Sequence, residues 1–347
     1  MANTLAFSTY NFLLRKYTLL LRRTYGIRAP LPLRVGICLT HRCNAACYMC
    51  DIQNILRHHQ GELTLAELAP LIERLPGWSI ITFTGGEPTL TKDFMDIIRI
   101  SSRRHRVQVL TNGSMLNKDV VQDLITNGVW LINLSIDAPI GYVHDKIRGL
   151  DGILQKATAA MREISKIKRR GRRFLPKVII NTIILKETIP LLPEMIEFAY
   201  DLGADGICLT PDCRLTGSDL LEEYRELDKQ YLRSQIEKSA SLAKKFKLHF
   251  RLKNNFLIDD IMKLYVNEAS GLASFDMNEF SCYVPWTYLY ILPDGSAKIC
   301  DTIIGNIKNE CVKTLWNNQK ALAARKSFLD NKTLPPRCIN CCHIFRN

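Results

Sequence analysis

The sequence predicts an α/β protein: a partial barrel of six strand–helix units, followed by a small C-terminal domain rich in cysteine. Short apolar, β-branched runs alternate with helical patterns from residue 33 to about residue 251, and such alternation is typical of parallel βα units. Beyond residue 252 the alternation stops. Half of the twelve cysteines then fall within residues 282–347, where a thin apolar core favours a metal-stabilised domain.

The six predicted strands define where the barrel opens. They are Arg34–Leu39, Ser79–Thr84, Arg106–Leu110, Trp130–Ile136, Lys177–Leu185 and Gly206–Thr210. Because the units alternate strictly, we expect parallel strands with right-handed crossovers, which curl the sheet toward a barrel. Eight units would close a full TIM barrel. Six units predict a partial, TIM-like (β/α)6 barrel with a wide mouth at the carboxyl ends of its strands.

The predicted helices fill the intervals between these strands. The first begins with a capping box, in which Thr64 and Glu67 each accept a hydrogen bond from the other residue's backbone. The later helices lie near Lys92–Arg103, Lys118–Thr126, Ile153–Arg169, Leu191–Asp201 and Asp219–Phe246. In the C-terminal domain, Tyr288–Leu292 and Ala297–Ile299 flank a Pro-Asp-Gly turn and predict a β-hairpin.

These patterns divide the chain into four parts. Residues 1–32 form a basic amphipathic helix, 33–251 the barrel, 252–281 a linker helix and 282–347 the C-terminal domain. The N-terminal pattern sets apolar Leu20 and Leu21 beside Arg22 and Arg23. Such a helix either lies on an anionic membrane surface or packs on its own domain.

The composition limits the class of protein. With 47% hydrophobic and 23% charged residues, the chain is not globally disordered, and no apolar run is long enough to span a bilayer. Arg15 and Lys16 interrupt the N-terminal apolar stretch, so we expect a cytoplasmic protein without a secretory signal. In a reducing compartment, twelve cysteines indicate metal or redox chemistry rather than disulfides. The net charge of +13 predicts an acidic partner or surface.

Three cysteines follow the first predicted strand in a C-x3-C-x2-C pattern: Cys43, Cys47 and Cys50. Thiolates bind soft centres such as iron–sulfur clusters. A structural zinc site needs four ligands, and no fourth lies nearby in sequence. On a four-iron cluster, three ligands leave one iron open for chemistry. The alternatives are a zinc knuckle or three unrelated core cysteines, and the position at the barrel mouth argues against both.

The cysteine pattern, with Thr84-Gly85-Gly86-Glu87-Pro88 at the end of the second strand, resembles the radical S-adenosylmethionine (radical SAM) superfamily. The resemblance covers residues 33 to about 251. It implies a 4Fe–4S cluster on the three cysteines and S-adenosylmethionine as the cofactor. One departure is Met49, which stands where an aromatic residue is common, and another is a fifth strand without the glycines often seen.

The resemblance also implies which residues lie close to the cofactor. They are Met49, Gly85, Gly86, Glu87, Pro88, Asn112, Asn133, Ser135, Asp137 and Thr182. The residue types are consistent with this, because glycines permit close backbone approach and a glutamate can hold an ammonium group. Asn133, Ser135 and Asp137 alternate along the fourth strand and therefore share its inner face.

A second candidate ligand set consists of Cys282, Cys300, Cys338 and Cys341, with Cys342 as a substitute. The pattern resembles the SPASM/twitch extension of radical SAM enzymes, which holds auxiliary 4Fe–4S clusters. A full SPASM domain holds two clusters. The cysteines available here suffice for one, so the shorter twitch form is predicted. The alternative is a structural zinc ion on the same four thiolates.

By resemblance, the reduced first cluster donates an electron to S-adenosylmethionine, and the resulting 5′-deoxyadenosyl radical removes a hydrogen atom from the substrate. An external flavodoxin- or ferredoxin-type protein would supply the electron. An auxiliary cluster with four protein ligands suits electron transfer, which favours net oxidation or cross-linking of an unactivated C–H position, although redox-neutral outcomes stay open. The candidate catalytic residues are Asp212 and Cys213 after the sixth strand and Arg148, which suits an acidic partner.

The fold does not choose the substrate. Two basic clusters, Arg103–Arg106 and Lys166–Arg173, are ordinarily solvated surfaces. Together with the N-terminal helix they also suit anionic headgroups, which predicts peripheral contact with the inner membrane face and a lipid or lipid-linked substrate. The alternative is a soluble small molecule (a sugar, aminoglycoside or tetrapyrrole) or a peptide. Little aromatic interleaving argues against nucleic acid, which leaves a non-enzymatic nucleic-acid-binding cluster protein as a distant alternative.

Overall fold

The computed structural model describes residues 26–50, 61–216, 224–253, 256–266, 280–329 and 345–346. The barrel strands are β1 (Arg34–Cys38), β2 (Ile80–Thr84), β3 (Arg106–Thr111), β4 (Leu131–Ser135), β5 (Lys177–Ile184), β6 (Gly206–Pro211) and β7 (His249–Leu252). The later strands are β8 (Phe280–Ser281), β9 (Tyr288–Ile291), β10 (Ser296–Ile299), β11 (Thr302–Asn306) and β12 (Phe345–Arg346). Ten of them form one sheet in the order β11-β10-β9-β1-β2-β3-β4-β5-β6-β7, while β8 and β12 pair separately.

Strands β1 to β7 pair in parallel in chain order, which confirms the partial barrel. The six predicted strands are all present within a residue or two. Strand β7 has no clear sequence signal, because it is only four residues long and includes the polar residues His249 and Arg251.

The helices cover the outer face of the barrel sheet and the C-terminal region. They are α1 (Leu65–Arg74), α2 (Phe94–Ser102), α3 (Lys118–Thr126), α4 (Gly141–Arg148), α5 (Ile153–Arg170), α6 (Leu192–Asp201), α7 (Lys229–Phe246), α8 (Ile258–Val266), α9 (Val284–Thr287), α10 (Val312–Trp316) and α11 (Gln319–Leu329). The capping box of α1 is confirmed, because Thr64 and Glu67 make both reciprocal hydrogen bonds. Helix α7 has Asp228 as its N-cap, and residues 219–223 of the helix predicted there lie outside the described residues. No helix among the described residues is long and apolar enough to cross a membrane.

The sheet buries different residues on its two faces. Ile132 and Leu134 on β4 belong to the main core under the helices. Leu131, Ile179 and Cys208 form a small cluster on the opposite, inner face, at the amino-terminal end of the barrel. The polar side chains of the inner face therefore lie further along the strands, toward the mouth.

The predicted hairpin is present, and it continues the barrel sheet instead of standing apart from it. Strands β9 and β10 pair in antiparallel orientation, while β9 also pairs in parallel with β1, with Val35 opposite Leu289. Two indole groups tie the chain before β1 to this region: Trp286 Nε1 donates to the Gly26 carbonyl at 2.9 Å, and Trp316 Nε1 donates to the Pro30 carbonyl at 2.6 Å. Residues 1–25, which contain most of the predicted N-terminal helix, lie outside the described residues.

Candidate functional site

The loop after β1 carries three cysteines, and the end of α4 braces it. The Ala46 N–H donates to the Arg148 carbonyl at 2.9 Å, and the Tyr48 N–H donates to the Ile147 carbonyl at 3.3 Å. Gly149 ends the helix at φ 59 and packs so closely on Ala46 that a Cβ would overlap its carbonyl. The conformation of the cysteine loop thus depends on a helix that is distant in sequence.

The three thiols lie near one another at the mouth of the barrel. Cys43 is exposed, while Cys47 and Cys50 are half-buried. Burial raises the pKa of the Cys43 thiol, and the charges of Cys47 and Cys50 add to the increase. Burial also raises the pKa of Cys47, against the opposing effect of the Arg148 cation.

Gly85 and Gly86 allow the loop after β2 to pack on the backbone that leads to Cys43. The Gly86 N–H donates to the Thr40 carbonyl and the Glu87 N–H to the Arg42 carbonyl, both at 2.8 Å. A Cβ on Gly85 would overlap the Thr40 carbonyl, and one on Gly86 would overlap the Arg42 carbonyl. Gly85 also has a φ of +151, which only glycine adopts readily. The two glycines therefore hold the cysteine loop against the end of β2.

Glu87 joins the ends of β2 and β3. Its carboxylate is fully buried and accepts hydrogen bonds from the Thr89 hydroxyl at 2.6 Å, the Thr111 hydroxyl at 2.7 Å and the Asn112 N–H at 2.7 Å. Burial raises the pKa of Glu87, and these donors oppose the increase. Because protein donors already satisfy this carboxylate, the structure shows Glu87 fixing the loop. A contact with an ammonium group stays a prediction.

A ring of three polar side chains ties the end of β3 to the cysteine loop. Asn112 Nδ2 donates to Asn44 Oδ1 at 3.0 Å, Asn44 Nδ2 donates to Ser114 Oγ at 2.8 Å, and Ser114 Oγ donates to Asn112 Oδ1 at 2.6 Å. Of these three residues, only Asn112 was predicted from the sequence. Asn44 lies within the C-x3-C segment, and that position is the one signal that could have pointed to it.

Asn133 and Ser135 lie on the inner face of β4, opposite the core residues Ile132 and Leu134. Asn133 is only 2% exposed, and its Nδ2 makes no hydrogen bond to the described protein. A buried amide donor without a partner is costly. A bound ligand or an ordered water is the usual partner of such a group, so the inner face of β4 suits a cofactor or substrate.

Asp137 and Arg148 form a buried ion pair beside Cys47. Arg148 Nε lies 2.6 Å from Asp137 Oδ2 as a charge contact without hydrogen-bond geometry, and Arg148 Nη1 lies 3.8 Å from Cys47 Sγ. Burial works against the charge of Arg148, but the charges of Asp137 and Cys47 outweigh it and raise its pKa. A permanent cation therefore faces the cysteine loop. The predicted role of Arg148 toward substrate stays a prediction.

His144 on α4 contacts the backbone of Asp137, which lies just after β4. Its Nδ1 accepts a hydrogen bond from the Asp137 backbone N–H at 3.1 Å, and the side chain is fully buried. That bond requires an unprotonated Nδ1, and burial lowers the pKa of His144 to about 4. The imidazole is therefore neutral at physiological pH.

We expect His144 to make the fold less stable in mild acid. Its folded-state pKa of about 4 lies below the unfolded value of about 6.5, so the unfolded chain binds more protons between these values. Stability is then lost as the pH falls through this window, by about 1 kcal/mol between about pH 7.5 and 5.5. Chemical denaturation of the wild type and His144→Asn at both pH values tests this. The variant should show the weaker pH dependence, and equal dependence in the two proteins would contradict the assignment.

Thr182 lies on the outer face of β5, away from the mouth. Its side chain is fully buried, and its hydroxyl donates to the Ile136 carbonyl at 2.7 Å. Because side chains alternate along a strand, Asn181 and Ile183 share the inner face with Ile179 instead. A cofactor contact by Thr182 stays a prediction, and its side chain does not face the mouth in this structure.

Two further predicted cofactor residues are packed within the protein. Met49 is buried against Ile147 and Leu185, where it holds the cysteine loop on α4. Pro88 is buried and begins a short 3-10 helix, Pro88–Leu90. For both, a cofactor contact stays a prediction.

Asp212, a candidate base, is buried and already paired. Its Oδ2 lies 2.6 Å from Arg214 Nη2 and accepts a hydrogen bond from the Tyr224 hydroxyl at 2.9 Å. The Arg214 guanidinium lies over the ring of Tyr48, 4.8 Å from its centroid, so this pair links β6 to the cysteine loop. A role of Asp212 as a base stays a prediction. Cys213 begins the short helix Cys213–Thr216, and its side chain lies outside the described part.

The second ligand set is only partly described. Cys282 and Cys300 are half-buried, and Cys300 follows β10 with a φ of 55. Cys338, Cys341 and Cys342 lie outside the described residues. Strand β12 nevertheless pairs with β8, with Phe345 opposite Ser281. The chain therefore comes back to Ser281, next to Cys282, three residues after Cys342. One cluster bound by cysteines from both segments requires this approach.

The first cysteine set fits a 4Fe–4S cluster. No three His, Cys, Asp or Glu side chains of the described segments are placed to hold a single metal ion. A four-iron cluster makes a different demand, because each thiolate binds its own iron atom. The three thiols lie together at a barrel mouth, beside a cation that favours thiolates and near the inner face that carries the orphaned Asn133 amide. These features suit a cluster with a bound polar cofactor.

The family models match both parts of this architecture. The radical SAM superfamily model matches residues 37–199, and the SPASM iron–sulfur cluster-binding domain model matches residues 282–342. The chain belongs to the radical SAM superfamily and carries a SPASM domain. Its cofactors are a 4Fe–4S cluster and S-adenosylmethionine, and the SPASM domain implies further iron–sulfur clusters in the C-terminal part.

Several curated proteins are similar to this chain. An AdoMet-dependent heme synthase of Oleidesulfovibrio alaskensis is 30% identical over 199 residues, or 54% of this chain and 50% of that protein. A tungsten-containing aldehyde ferredoxin oxidoreductase cofactor-modifying protein of Pyrococcus furiosus is 24% identical, covering 87% of this chain and 85% of that protein. A probable GTP 3′,8-cyclase of Saccharolobus solfataricus is 30% identical, covering 67% and 74%. The chain spans half the length of the first of these.

Solved structures share the fold. Streptococcus suis SuiB bound to its precursor peptide SuiA superposes with a TM-score of 0.68 at 15% identity, covering 96% of this chain and 74% of that chain. The anSMEcpe structure with bound AdoMet gives a TM-score of 0.63 at 18% identity, covering 89% and 86%. At these identities the likeness concerns the fold alone.

Proposed function

We propose that this radical SAM enzyme oxidises or cross-links an unactivated C–H position of its substrate, and that an auxiliary cluster in the C-terminal domain accepts an electron. The observation that carries the proposal is the constellation at the barrel mouth: the three cysteines, the buried Arg148 cation and the orphaned Asn133 amide. When bound, the first cluster and S-adenosylmethionine supply hydrogen-atom abstraction. An external low-potential electron donor is required for this chemistry.

The chain's own residues give this mouth a fixed shape. Glu87 and the Asn112 ring lock the ends of β2 and β3 to the cysteine loop, and Arg148 locks α4 to it. Prepositioned groups lower the cost of orienting reactants. The half-buried Ser135 and the orphaned Asn133 then offer hydrogen bonds to a polar ligand on the inner face.

The position of the basic clusters supports a soluble substrate. Arg103–Arg106 end at the first residue of β3, and residues 166–173 precede β5, so both clusters lie at the amino-terminal end of the sheet. Exposed Trp78 and Phe174 precede β2 and β5 at that same end, with exposed fractions of 62% and 79%. A membrane that docked on this face would lie opposite the catalytic mouth. The names of the curated relatives, which include heme synthases and a cofactor-modifying protein, also suit a soluble small molecule or a peptide.

A lipid or lipid-linked substrate is the second candidate. The exposed basic and aromatic residues just described favour contact with anionic headgroups, and this contact would place the protein at the membrane surface. The predicted N-terminal helix would then have to present the lipid to the mouth. Deletion of residues 1–24 should abolish liposome binding under this hypothesis, and unchanged binding would contradict it.

Formation of 5′-deoxyadenosine tests the proposed function and separates the two substrate classes. Anaerobically reconstituted protein with a low-potential reductant is compared in buffer, with a soluble metabolite and peptide extract, and with a total lipid extract. We expect the soluble extract to stimulate release. Stimulation by lipid alone would establish the second candidate instead. No release by protein with intact clusters would contradict the proposed chemistry.

A further inference from the structure

A cavity lies at the end of the sheet opposite the cysteines. Its volume is about 770 Å³, and it is lined by residues at the amino-terminal ends of β3 to β7. Strand β5 is eight residues long and so spans roughly 25 Å, which separates the cavity from the catalytic mouth. The inner cluster residues Leu131 and Ile179 also line it. The volume falls within the range of small-molecule sites, about 300–1,000 Å³.

The lining is largely apolar and aromatic. Tyr200 and Phe246 stack with their ring centroids 4.6 Å apart, and Trp130 and Leu175 contribute further apolar surface. Tyr200 is 50% exposed and Leu175 is 39% exposed. Large apolar side chains that gather around one cavity and stay accessible to solvent are typical of a binding site.

The charged groups of the lining favour an anion. Arg106, Lys177 and Lys247 face a single lining carboxylate, that of Asp205. Both oxygens of Asp205 are already paired, one with Lys177 and the other with Lys168, at 2.8 Å each. One carboxylate shared by two lysines leaves an excess of positive charge at the cavity.

The cations and the aromatic surface are contiguous. The Arg106 guanidinium lies over the Trp130 ring, 5.6 Å from its centroid. Lys247 directly follows Phe246 at the end of α7. A ligand that lay on the aromatic lining would therefore reach a cation with a polar group at one end.

We propose that this cavity binds an amphipathic anion, with its acyl or aromatic body on the apolar lining and its carboxylate or phosphate group at the lining cations. The chemistry would suit either a free amphipathic metabolite or an anionic lipid that enters from a membrane. Because the cavity lies at the amino-terminal ends of the strands and the cysteines lie at the carboxyl ends, its ligand is distinct from the substrate of the radical reaction, and the proposal goes beyond the proposed function.

Titration calorimetry of the cluster-loaded protein with decyl phosphate, below its micellar concentration, tests this proposal. We expect saturable binding, and weaker binding of the uncharged detergent decyl maltoside. The double variant Arg106→Gln/Lys247→Asn should raise the Kd for decyl phosphate by about tenfold or more, because it removes two charge-assisted contacts. Asparagine is chosen because Lys247 has a φ of 55, which asparagine tolerates.

A matched control removes the same charge away from the cavity. Arg103→Gln/Lys244→Gln replaces two exposed cations that do not line it, and its Kd should change by less than about twofold. Absence of saturable binding, or an equal loss of affinity in the two double variants, would overturn the proposal. Binding is measured without S-adenosylmethionine, so this result is independent of the radical reaction.

Vesicles that contain phosphatidylglycerol identify the source of the anion. If the Arg106/Lys247 variant loses vesicle binding while the control keeps it, the cavity takes a membrane lipid. If both variants bind vesicles as the wild type does, and only decyl phosphate binding is lost, the cavity takes a free amphipathic anion. Each result supports the cavity as an anion site.

Discussion

Replacement of any one of Cys43, Cys47 or Cys50 by serine should abolish 5′-deoxyadenosine formation. In the predicted site each thiolate would bind one iron atom, and three ligands would leave the fourth iron open to a cofactor. Loss of one ligand should remove the site's cluster, lowering the iron content by about four atoms per chain. The rate should fall by more than about a thousandfold, since no other described group supplies this chemistry. Iron and sulfide analysis with a product assay measures both effects.

Cys311→Ser is the matched control for these variants. Cys311 lies outside both ligand sets and is the N-cap of α10, a position where a serine hydroxyl is well tolerated. It should keep full iron content and full activity. The residual iron in the Cys43, Cys47 and Cys50 variants then reports the C-terminal site directly. Zinc there in place of iron would favour the structural-zinc alternative, and unchanged iron in any of the three variants would refute the ligand assignment.

The barrel could be predicted from sequence because its signals are local. Runs such as Lys177–Ile184 are rich in apolar and β-branched residues, and they alternate with helices. The caps of these helices are recognised from residues close together in sequence, as with Thr64 and Glu67. The parallel pairing of β9 with β1 could not be predicted in this way. It pairs Val35 with Leu289, and nothing local marks two strands so far apart in sequence as neighbours.

The site shows the same division between local and distant information. The cysteine motif and the Gly85-Gly86-Glu87-Pro88 motif located the mouth, because each one follows the end of a strand. The partners within the site are long-range contacts: Glu87 binds Thr111 and Asn112, and Asn44 binds Ser114. Strand β5 shows a different limit, since a shift of one residue along a strand, as from Thr182 to Asn181, moves a side chain to the opposite face.

The cluster ligands of the C-terminal domain are the feature that local sequence signals predict least well. Its cysteine spacing indicated a cluster, and the SPASM match over residues 282–342 agrees with that part of the prediction. The choice of ligands depends on which cysteines the chain brings together, and a spacing pattern does not determine that. The pairing of β12 with β8 supplies the one structural constraint within the described residues.

Replacement of Arg148 should lower the reduction potential of the cluster at the mouth. Arg148 Nη1 lies 3.8 Å from Cys47 Sγ, and a cation stabilises the reduced cluster, which carries one more negative charge. Its loss should shift the midpoint by on the order of 60 mV in the negative direction, equivalent to about 1.4 kcal/mol for a one-electron couple. Arg148→Met is the direct test, read by a redox titration of the EPR signal that responds to added S-adenosylmethionine.

The ion pair complicates that variant, because Arg148→Met leaves the Asp137 carboxylate buried without its partner. We expect this to cost about 3 kcal/mol of the free energy of unfolding. The double variant Asp137→Asn/Arg148→Met removes both charges and should recover much of the stability. Arg148→Lys keeps the charge and should keep a potential close to that of the wild type.

Lys146→Gln is the control for charge alone, since Lys146 is exposed on the same helix. Its potential should match that of the wild type. If Arg148→Met and Lys146→Gln gave the same potential, Arg148 would act only through the packing of α4 on the cysteine loop. A shift confined to the Arg148→Met proteins would instead show that the buried cation sets how readily the cluster is reduced, and hence how readily the first step of the reaction begins.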